Sequence, residues 1–206
     1  MRKRRAVFLD RDGTLSRDVG YPADWSQVHI YPHAFEAVRR IRRAGLAAVV
    51  ITNQSGVGRG FFTEDDLRAL HREFASAFAT RRARLDGIFY CPHYSPAAPA
   101  AEESHCACRK PGPELGLRAA AALGLELPGS YMVGDKPADV RFGLALGAVP
   151  VLVLTGYGRA ALRELDAGPA RPAHVAADLA AAVDWIMDRE GRSGRCPAPR
   201  GRRAPS

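Results

Sequence analysis

Short apolar runs alternate with helical patterns along this chain of 206 residues. The runs are bounded by turn residues and predict β-strands over 6–9, 47–52, 87–90, 131–134 and 149–154. Helical patterns lie between and after them, around 35–41 and over 63–78, 113–124, 137–146, 158–166 and 177–189. This alternation predicts an α/β fold in which helices cover both faces of a parallel sheet.

Polar residues stand where three of the predicted strands end. Asp10 and Asp12 follow the first apolar run, Thr52 closes the second, and Asp135 follows the fourth. In an open parallel sheet the functional crevice lies beyond the carboxyl ends of the strands, so these side chains are expected to meet at one edge. The alternative for the first pair is an ordinary polar turn, because Asp12-Gly13 is common turn chemistry.

The residue types at this edge suit the transfer of a phosphoryl group. Two or three carboxylates form an oxygen site of the kind that Mg²⁺ prefers, and a threonine hydroxyl and a lysine can hold phosphoryl oxygens. Lysine is rare in this chain, which has 27 arginines and only Lys3, Lys110 and Lys136. A lysine kept against that bias indicates a position that needs a compact ammonium group rather than a planar guanidinium.

Four motifs in order resemble those of the haloacid dehalogenase superfamily of phosphatases: DRDGT at 10–14, Thr52, Lys110, and GDKPAD at 134–139. The resemblance implies a Rossmann-like sheet, with Asp10 as the nucleophile and Asp12 as general acid and base. It also implies Mg²⁺ on Asp10, on the main-chain carbonyl of Asp12 and on Asp135, and contacts from Thr52 and Lys110 to the transferring phosphoryl group. Asp139 is expected to lie behind the metal ligands, where it orients Lys136 or caps the helix; direct contact with the metal is the alternative.

A second constellation is formed by Cys91, His93, Cys106 and Cys108, within 91–108. Three thiolates and one imidazole satisfy tetrahedral Zn²⁺, and a segment rich in Ala, Pro and Ser has little core of its own. The alternative is a set of free thiols. A zinc ion here would be structural, because it would order the loop that presents Arg109 and Lys110 to anionic groups.

With this loop the resemblance narrows to the D-glycero-D-manno-heptose 1,7-bisphosphate 7-phosphatase family and covers about residues 5–185. RDVGY at 17–21, TNQSGVGRGFFT at 52–63 and the CPH motif also match, while Tyr94 stands where many relatives have a second histidine. The family implies hydrolysis of the 7-phosphate in the synthesis of nucleotide-activated heptose for surface glycans, without a full cap domain. It also implies substrate contacts from Asp18, Val19, Gly20, Tyr21, Thr52, Asn53, Gln54, Ser55, Arg109 and Lys110.

Three other functions fit part of the pattern. Histidinol-phosphate phosphatase uses the same catalytic set with a similar zinc loop. A 3′-phosphatase for nucleic-acid ends shares motif features, but the chain offers no evident aromatic platform for a strand. A non-catalytic, zinc-stabilised binding protein with a nucleic-acid-binding tail is opposed by the intact acid pair.

Charge and composition limit the remaining possibilities. The net charge is +8, but five of those charges are arginines of 191–206, a stretch without acids that we predict to be a disordered tail after a single domain over 1–190. We therefore do not expect nucleic-acid binding. No apolar run approaches the roughly 20 residues of a membrane span, and the start lacks the apolar core of a signal peptide, so cytoplasmic residence is expected. The resemblance implies a monomer.

Overall fold

A computed structural model describes residues 3–94 and 106–193 of the chain. The described part contains six strands: β1 (Arg4–Leu9), β2 (Ala47–Asn53), β3 (Gly87–Cys91), β4 (Leu125–Gly134), β5 (Val149–Val153) and β6 (His174–Ala176). It contains six α-helices: α1 (Pro32–Arg43), α2 (Glu64–Thr80), α3 (Glu114–Leu123), α4 (Pro137–Ala145), α5 (Gly158–Asp166) and α6 (Leu179–Ser193).

The six strands form one sheet in the order β3-β2-β1-β4-β5-β6. Every neighbouring pair is parallel, which confirms the predicted α/β class. The carboxyl ends of β1, β2 and β4 are therefore adjacent at one edge of the sheet. In the described part of the chain, none of the helices is both long enough and apolar enough to span a bilayer.

Side chains that alternate along the strands build one core on each face of the sheet. Val7 and Leu9 of β1 face a core that also contains residues of α1, α2 and α6. Ala6 and Phe8 face the opposite core, to which α3 and α4 contribute. A layer on each side buries the sheet, and the described residues include no further domain over its carboxyl edge.

The predicted helix boundaries hold closely where a capping residue signals them. Thr63 precedes α2, its Oγ1 accepts a hydrogen bond from the Asp66 amide at 3.1 Å, and the Asp66 carboxylate accepts one from the Thr63 amide at 2.9 Å. Gly124 ends α3 in the left-handed conformation at φ 64°, where a glycine is unstrained.

Two strands differ from the sequence expectation. The short strand β6 was not predicted, because a strand of three residues gives almost no periodic signal. Strand β4 begins six residues before the predicted start, and its register against β1 shifts beyond Arg5. There the Ser130 hydroxyl accepts a hydrogen bond from the amide of Ala6 at 2.9 Å.

The segment 22–32 contains a short 3-10 helix over Trp25–Gln27. At the other end of the chain, α6 continues to residue 193, so the first three residues of the predicted tail are helical. Residues 194–206 and 95–105 lie outside the described part, and the tail's predicted disorder stays a prediction.

Candidate active site

Four buried side chains meet at the carboxyl edge of the sheet: Asp10, Lys110, Asp135 and Asp139, here called the carboxylate–lysine cluster. Asp10 follows β1, Asp135 follows β4, and Asp139 lies in the first turn of α4. Carboxylate oxygens of the three acids all lie within 4.8 Å of one another. The topology thus brings together residues that are up to 129 positions apart in the chain.

The ammonium group of Lys110 lies among three oxygen atoms. Its Nζ donates to Asp10 Oδ1 at 2.8 Å and to the main-chain carbonyl of Ile51 at 2.9 Å, and it pairs with Asp139 Oδ1 at 2.6 Å. Asp139 also accepts a hydrogen bond from the Lys136 amide at 2.9 Å, which caps α4. Asp139 therefore caps the helix as expected, while the lysine side chain that it orients is Lys110 and not Lys136.

Asn53, the last residue of β2, fixes the main chain around Lys110. Its Oδ1 accepts from the Lys110 amide at 3.0 Å, and its Nδ2 donates to the Lys110 carbonyl at 3.1 Å. Both ends of the amide side chain are thus used by one residue. This clamp ties the segment after Cys108 directly to the sheet.

The charges of the cluster act on one another through a buried medium. Burial alone would raise the pKa of Asp10, but the ammonium groups of Lys110 and Lys136 outweigh it and hold that pKa below its ordinary value. Burial and the carboxylates of Asp10 and Asp139 raise the pKa of Asp135 to about 8. One acid thus stays ionised while a neighbour holds a proton near neutral pH, unless a further cation compensates the charge.

The surroundings of Asp135 fit such a cation. Its Oδ2 accepts from the Tyr157 amide at 2.8 Å, while its Oδ1 is buried without a hydrogen-bond partner. Two glycines pack against this carboxylate: a Cβ on Gly13 would lie 2.1 Å from Oδ2, and one on Gly156 would lie 2.2 Å from it. The main chain therefore closes in on Asp135 from two sides and leaves one oxygen available as a ligand.

Asp12 takes part in a second buried network, next to the cluster. Its Oδ2 accepts from Arg11 Nη2 at 2.8 Å, from Arg11 Nε at 3.1 Å and from Gln54 Nε2 at 2.9 Å, whereas its Oδ1 accepts from Arg11 Nε at 3.0 Å. Gln54 Nε2 also donates to Thr52 Oγ1 at 2.9 Å. Because the threonine oxygen accepts there, its own hydroxyl proton is free to point toward an anion.

Arg11 and His71 are members of this network that the sequence reasoning missed. Arg11 is fully buried, and its Nη1 lies 3.1 Å from His71 Nε2 in α2. Burial and the neighbouring guanidinium lower the pKa of His71 to about 3. The position of Arg11 between Asp10 and Asp12 could have indicated that it contacts the site. Nothing in the spacing of the sequence indicated that His71 does.

The segment 16–31 lies over the edge of the sheet and contributes a further ion pair. Lys136 Nζ donates to Asp18 Oδ2 at 2.9 Å and lies 5.0 Å from the centroid of the Tyr157 ring. Val19, Gly20 and Tyr21 are exposed, and the Tyr21 ring packs edge-on against Phe61 at 4.9 Å. Of the residues in this segment that are predicted to contact substrate, Asp18 is therefore the one that pairs with a residue of the GDKPAD motif, Lys136.

The predicted zinc ligands also come together, in what we call the cysteine–histidine cluster: Cys91, His93, Cys106 and Cys108. All four donor atoms lie within 4.8 Å of one another, and His93 Nδ1 lies 3.6 Å from Cys91 Sγ and 3.2 Å from Cys108 Sγ. The Sγ atoms of Cys106 and Cys108 are 2.8 Å apart, and Cys91, Cys106 and Cys108 are free of disulfides. Burial raises the pKa values of the Cys91 and Cys108 thiols, so ionised sulfurs here require a bound cation.

The loop after β2 packs directly against the cysteine–histidine cluster. The amide of Gln54 donates to the Cys91 carbonyl at 2.7 Å, and that of Gly58 donates to the Pro92 carbonyl at 2.9 Å. The guanidinium of Arg59 lies 3.7 Å from the centroid of the Tyr94 ring. Arg109, half-buried, lies between Cys108 of one cluster and Lys110 of the other.

Comparison with known proteins matches this chain to hydrolases and phosphatases. A family model described as "HAD-hyrolase-like" matches residues 107–182. The chain is 37% identical over 184 residues to the D-glycero-beta-D-manno-heptose-1,7-bisphosphate 7-phosphatase of Yersinia pestis, a match that covers 89% of both proteins. It is 40% identical over 152 residues to the protein of that name from Escherichia coli K12, covering 73% of this chain and 80% of that protein.

Among solved structures, the chain resembles the D,D-heptose 1,7-bisphosphate phosphatase from B. bronchiseptica, crystallised with magnesium and phosphate. The two superpose with a TM-score of 0.78 at 32% identity, over 90% of this chain and 99% of the other. A second structure, that of the D,D-heptose 1,7-bisphosphate phosphatase from Burkholderia thailandensis, gives a TM-score of 0.64 at 28% identity, over 89% of this chain and 99% of the other.

Proposed function

We infer the function of this chain from its family: it belongs to the D-glycero-D-manno-heptose 1,7-bisphosphate 7-phosphatases, which are haloacid dehalogenase-like hydrolases. It is a phosphoric monoester hydrolase. We propose that it removes the 7-phosphate of D-glycero-D-manno-heptose 1,7-bisphosphate, and that this step serves nucleotide-activated heptose synthesis. The observation that carries the proposal is the convergence of Asp10, Lys110 and Asp135 at the carboxyl edge of a sheet shared with those relatives.

Asp10 is the proposed nucleophile. Its pKa is held below the ordinary value, so it is ionised at neutral pH. Its carboxylate attacks the phosphorus atom, the bond from phosphorus to the sugar oxygen breaks, and the phosphoryl group stays on Asp10 as an acyl phosphate. The hydroxyl of Thr52 and the ammonium of Lys110 donate to the phosphoryl oxygens during this transfer.

Asp12 is the proposed general acid and base. Three donor contacts reach its Oδ2 and only one reaches Oδ1, so Oδ1 is the oxygen with capacity for a proton. That proton goes to the departing sugar alkoxide. The carboxylate then takes a proton from a water molecule, which attacks the phosphorus and regenerates Asp10.

Asp10, the main-chain carbonyl of Asp12 and Asp135 are the groups proposed to hold Mg²⁺. The unpartnered Asp135 Oδ1 and the raised pKa of that acid support this assignment, and the relative from B. bronchiseptica was crystallised with magnesium. When bound, Mg²⁺ would neutralise and align the oxygens of the transferring phosphoryl group. Asp139 stays outside this ligand set, because its two oxygens serve Lys110 and the Lys136 amide.

The substrate contacts divide into direct and indirect ones. We propose that Arg109 binds the distal phosphate and that residues 18–21 and Ser55 contact the sugar. The side chain of Asn53 is hydrogen-bonded to the main chain of Lys110. That of Gln54 is hydrogen-bonded to Asp12 and Thr52. We propose that both residues act through these partners. This revises their expected direct contact with substrate.

Zn²⁺ is proposed as the ion of the cysteine–histidine cluster, where it would hold 106–110 in place. Its role is structural, since the cluster offers four protein ligands and leaves no open position. We also propose a cytoplasmic monomer, in line with the sequence expectation.

The experiment compares phosphate release from both anomers of heptose 1,7-bisphosphate and from histidinol phosphate, with Asp10→Asn protein purified in parallel as the control for contaminating phosphatase. We expect kcat/KM for one anomer of heptose 1,7-bisphosphate to exceed that for histidinol phosphate by about tenfold or more. The product seen by ³¹P NMR should be heptose 1-phosphate. Faster turnover of histidinol phosphate, or release of the 1-phosphate, would contradict the proposal.

A further inference from the structure

The buried arginine of DRDGT, Arg11, contacts a histidine on α2, His71. Arg11 is enclosed completely, and its guanidinium donates to the Asp12 carboxylate, to Gln54 Oε1 at 3.0 Å and toward His71 Nε2 at 3.1 Å. Each of the three guanidinium nitrogens thus has a hydrogen-bond partner. Of these partners, His71 is the one that comes from a helix rather than from the ends of β1 and β2.

The chemistry of this contact fixes the state of His71. A guanidinium has five donors and no acceptor, so the Nε2 atom 3.1 Å from Arg11 Nη1 must accept. The imidazole is therefore neutral and carries its proton on Nδ1. Burial and the positive charge of Arg11 lower the pKa of His71, in agreement with that state.

The acceptor on His71 determines which way the Arg11 fork can point. With Nη1 engaged by His71, the Nε and Nη2 edge faces Asp12, and Nη2 reaches Asp12 Oδ2 at 2.8 Å. Gln54, held by the same Nη2, adds its own bond to Oδ2. The result is an acid whose Oδ2 is saturated with donors and whose Oδ1 is the oxygen left for proton transfer.

We propose that His71 is a positioning residue for the phosphatase reaction: through Arg11 it orients the carboxylate of Asp12 for proton transfer. This rests on the proposed role of Asp12. His71 touches neither substrate nor metal ligand in this account, and it acts only by accepting the Arg11 hydrogen bond. Its contribution should therefore appear in the chemical steps and not in substrate binding.

The test compares two substitutions that separate the acceptor from the volume. His71→Phe fills the site without an acceptor, and His71→Gln places Oε1 close to the position of Nε2. We expect kcat to fall by about 10- to 100-fold in His71→Phe with KM within about twofold, because part of the acid–base contribution is lost. We expect His71→Gln to keep kcat within about threefold of the wild type.

Phe74→Leu serves as the matched control. Phe74 lies on the same helix, is buried, and packs in the hydrophobic core with Phe78. This substitution should lower the melting temperature and leave kcat unchanged, which shows the effect of loosening α2 alone.

Several outcomes overturn the proposal: equal losses in His71→Phe and His71→Gln, a wild-type kcat in folded His71→Phe, or an effect confined to KM. If His71→Phe does not fold, His71→Met takes its place. The ¹⁵N spectrum of the wild-type imidazole gives an independent reading, since the proton must reside on Nδ1. The kinetic ratios are measured on the phosphomonoester that the wild type turns over fastest, so a wrong substrate assignment leaves this test intact.

Discussion

The carboxylate–lysine cluster and the cysteine–histidine cluster lie side by side but are built in opposite ways. The acids of the first stand where β1 and β4 end and where α4 begins, so the sheet determines their positions. In the second, only Cys91 belongs to a strand, and the other donors lie in the segments around it. The sheet and α4 thus position the acids of the first cluster, whereas we propose that the second, which lies mostly outside the strands, relies on a cation to neutralise its thiols.

The two clusters meet in a short stretch of main chain. Cys108 belongs to one cluster and Lys110 to the other, and Asn53 holds the Lys110 amide and carbonyl at the end of β2. We therefore propose that the second cluster serves the first, because it lies next to the lysine that pairs with the acids. Substitutions in the first cluster should therefore change turnover and stability in a different way, and by a different amount, from substitutions in the second.

The largest effect is expected from Asp10→Asn. An amide cannot act as the nucleophile, so kcat should fall by about 10⁴-fold or more while the fold is kept. Phosphate release and circular dichroism measure the two properties. Asp184→Asn, which changes a largely exposed acid that pairs with Arg40, is the control and should leave turnover unchanged. An active Asp10→Asn protein would remove Asp10 from the mechanism.

Lys110→Met should reduce both activity and stability. It leaves the buried carboxylates of Asp10 and Asp139 without their shared cation, a loss expected to cost about 3–5 kcal/mol of unfolding free energy. Denaturant unfolding in the absence of added magnesium measures this cost. Lys3→Met, at an exposed position, is the matched control. Equal stability of the two variants would show that Lys110 does not balance the charges of the acids.

Removal of the metal from the cysteine–histidine cluster should act on stability first and on turnover second. We expect Cys108→Ser to bind less than one zinc ion per chain, to melt at a lower temperature, and to lose about tenfold in kcat because Lys110 is no longer held. Metal analysis, calorimetry and steady-state assays report the three properties. Cys196→Ser, outside the four-residue cluster, should match the wild type. A zinc-free protein with full activity and stability would break the proposed dependence of one cluster on the other.

The smallest effect expected is the dependence of stability on pH that arises from His71. His71 has an ordinary pKa near 6.5 in the unfolded chain and a pKa of about 3 in the fold. The unfolded state therefore binds more protons between these values, and stability present above pH 6.5 is lost as the pH falls. From pH 7.5 to pH 5 this costs about 2 kcal/mol, which His71→Gln should not show. Urea unfolding at both pH values checks this, and equal losses in the two proteins would contradict it.

The sequence predicted what depends on period, order and residue chemistry. Five strands, the parallel class and the meeting of Asp10 and Asp135 at one edge followed from apolar runs and from the polar residues that end them, whereas the place of Lys110 followed from the family resemblance. The four residues of the cysteine–histidine cluster were also predicted, from their residue types, their spacing and the composition of the segment between them. These features are local or follow from a general rule about parallel sheets.

The contacts that were missed depend on side-chain direction across the sheet. That Asn53 would hold Lys110, that Asp139 would pair with Lys110 rather than orient the Lys136 side chain, and that His71 would reach Arg11 required knowledge of which elements face each other. Strand β6 was missed for a different reason, since three residues are too few to show a period. The sequence thus predicted which side chains gather at this edge, and the fold was needed to identify what holds them.

The central claim is that Asp10 carries the phosphoryl group between two chemical steps. The most direct test mixes enzyme, magnesium and heptose 1,7-bisphosphate, stops the reaction within milliseconds, and reduces acyl phosphates with borohydride before peptide mass spectrometry. The account predicts homoserine at position 10 in the wild type and none when substrate is omitted. Active enzyme that forms no homoserine at position 10, or that forms it at another aspartate, would contradict the claim.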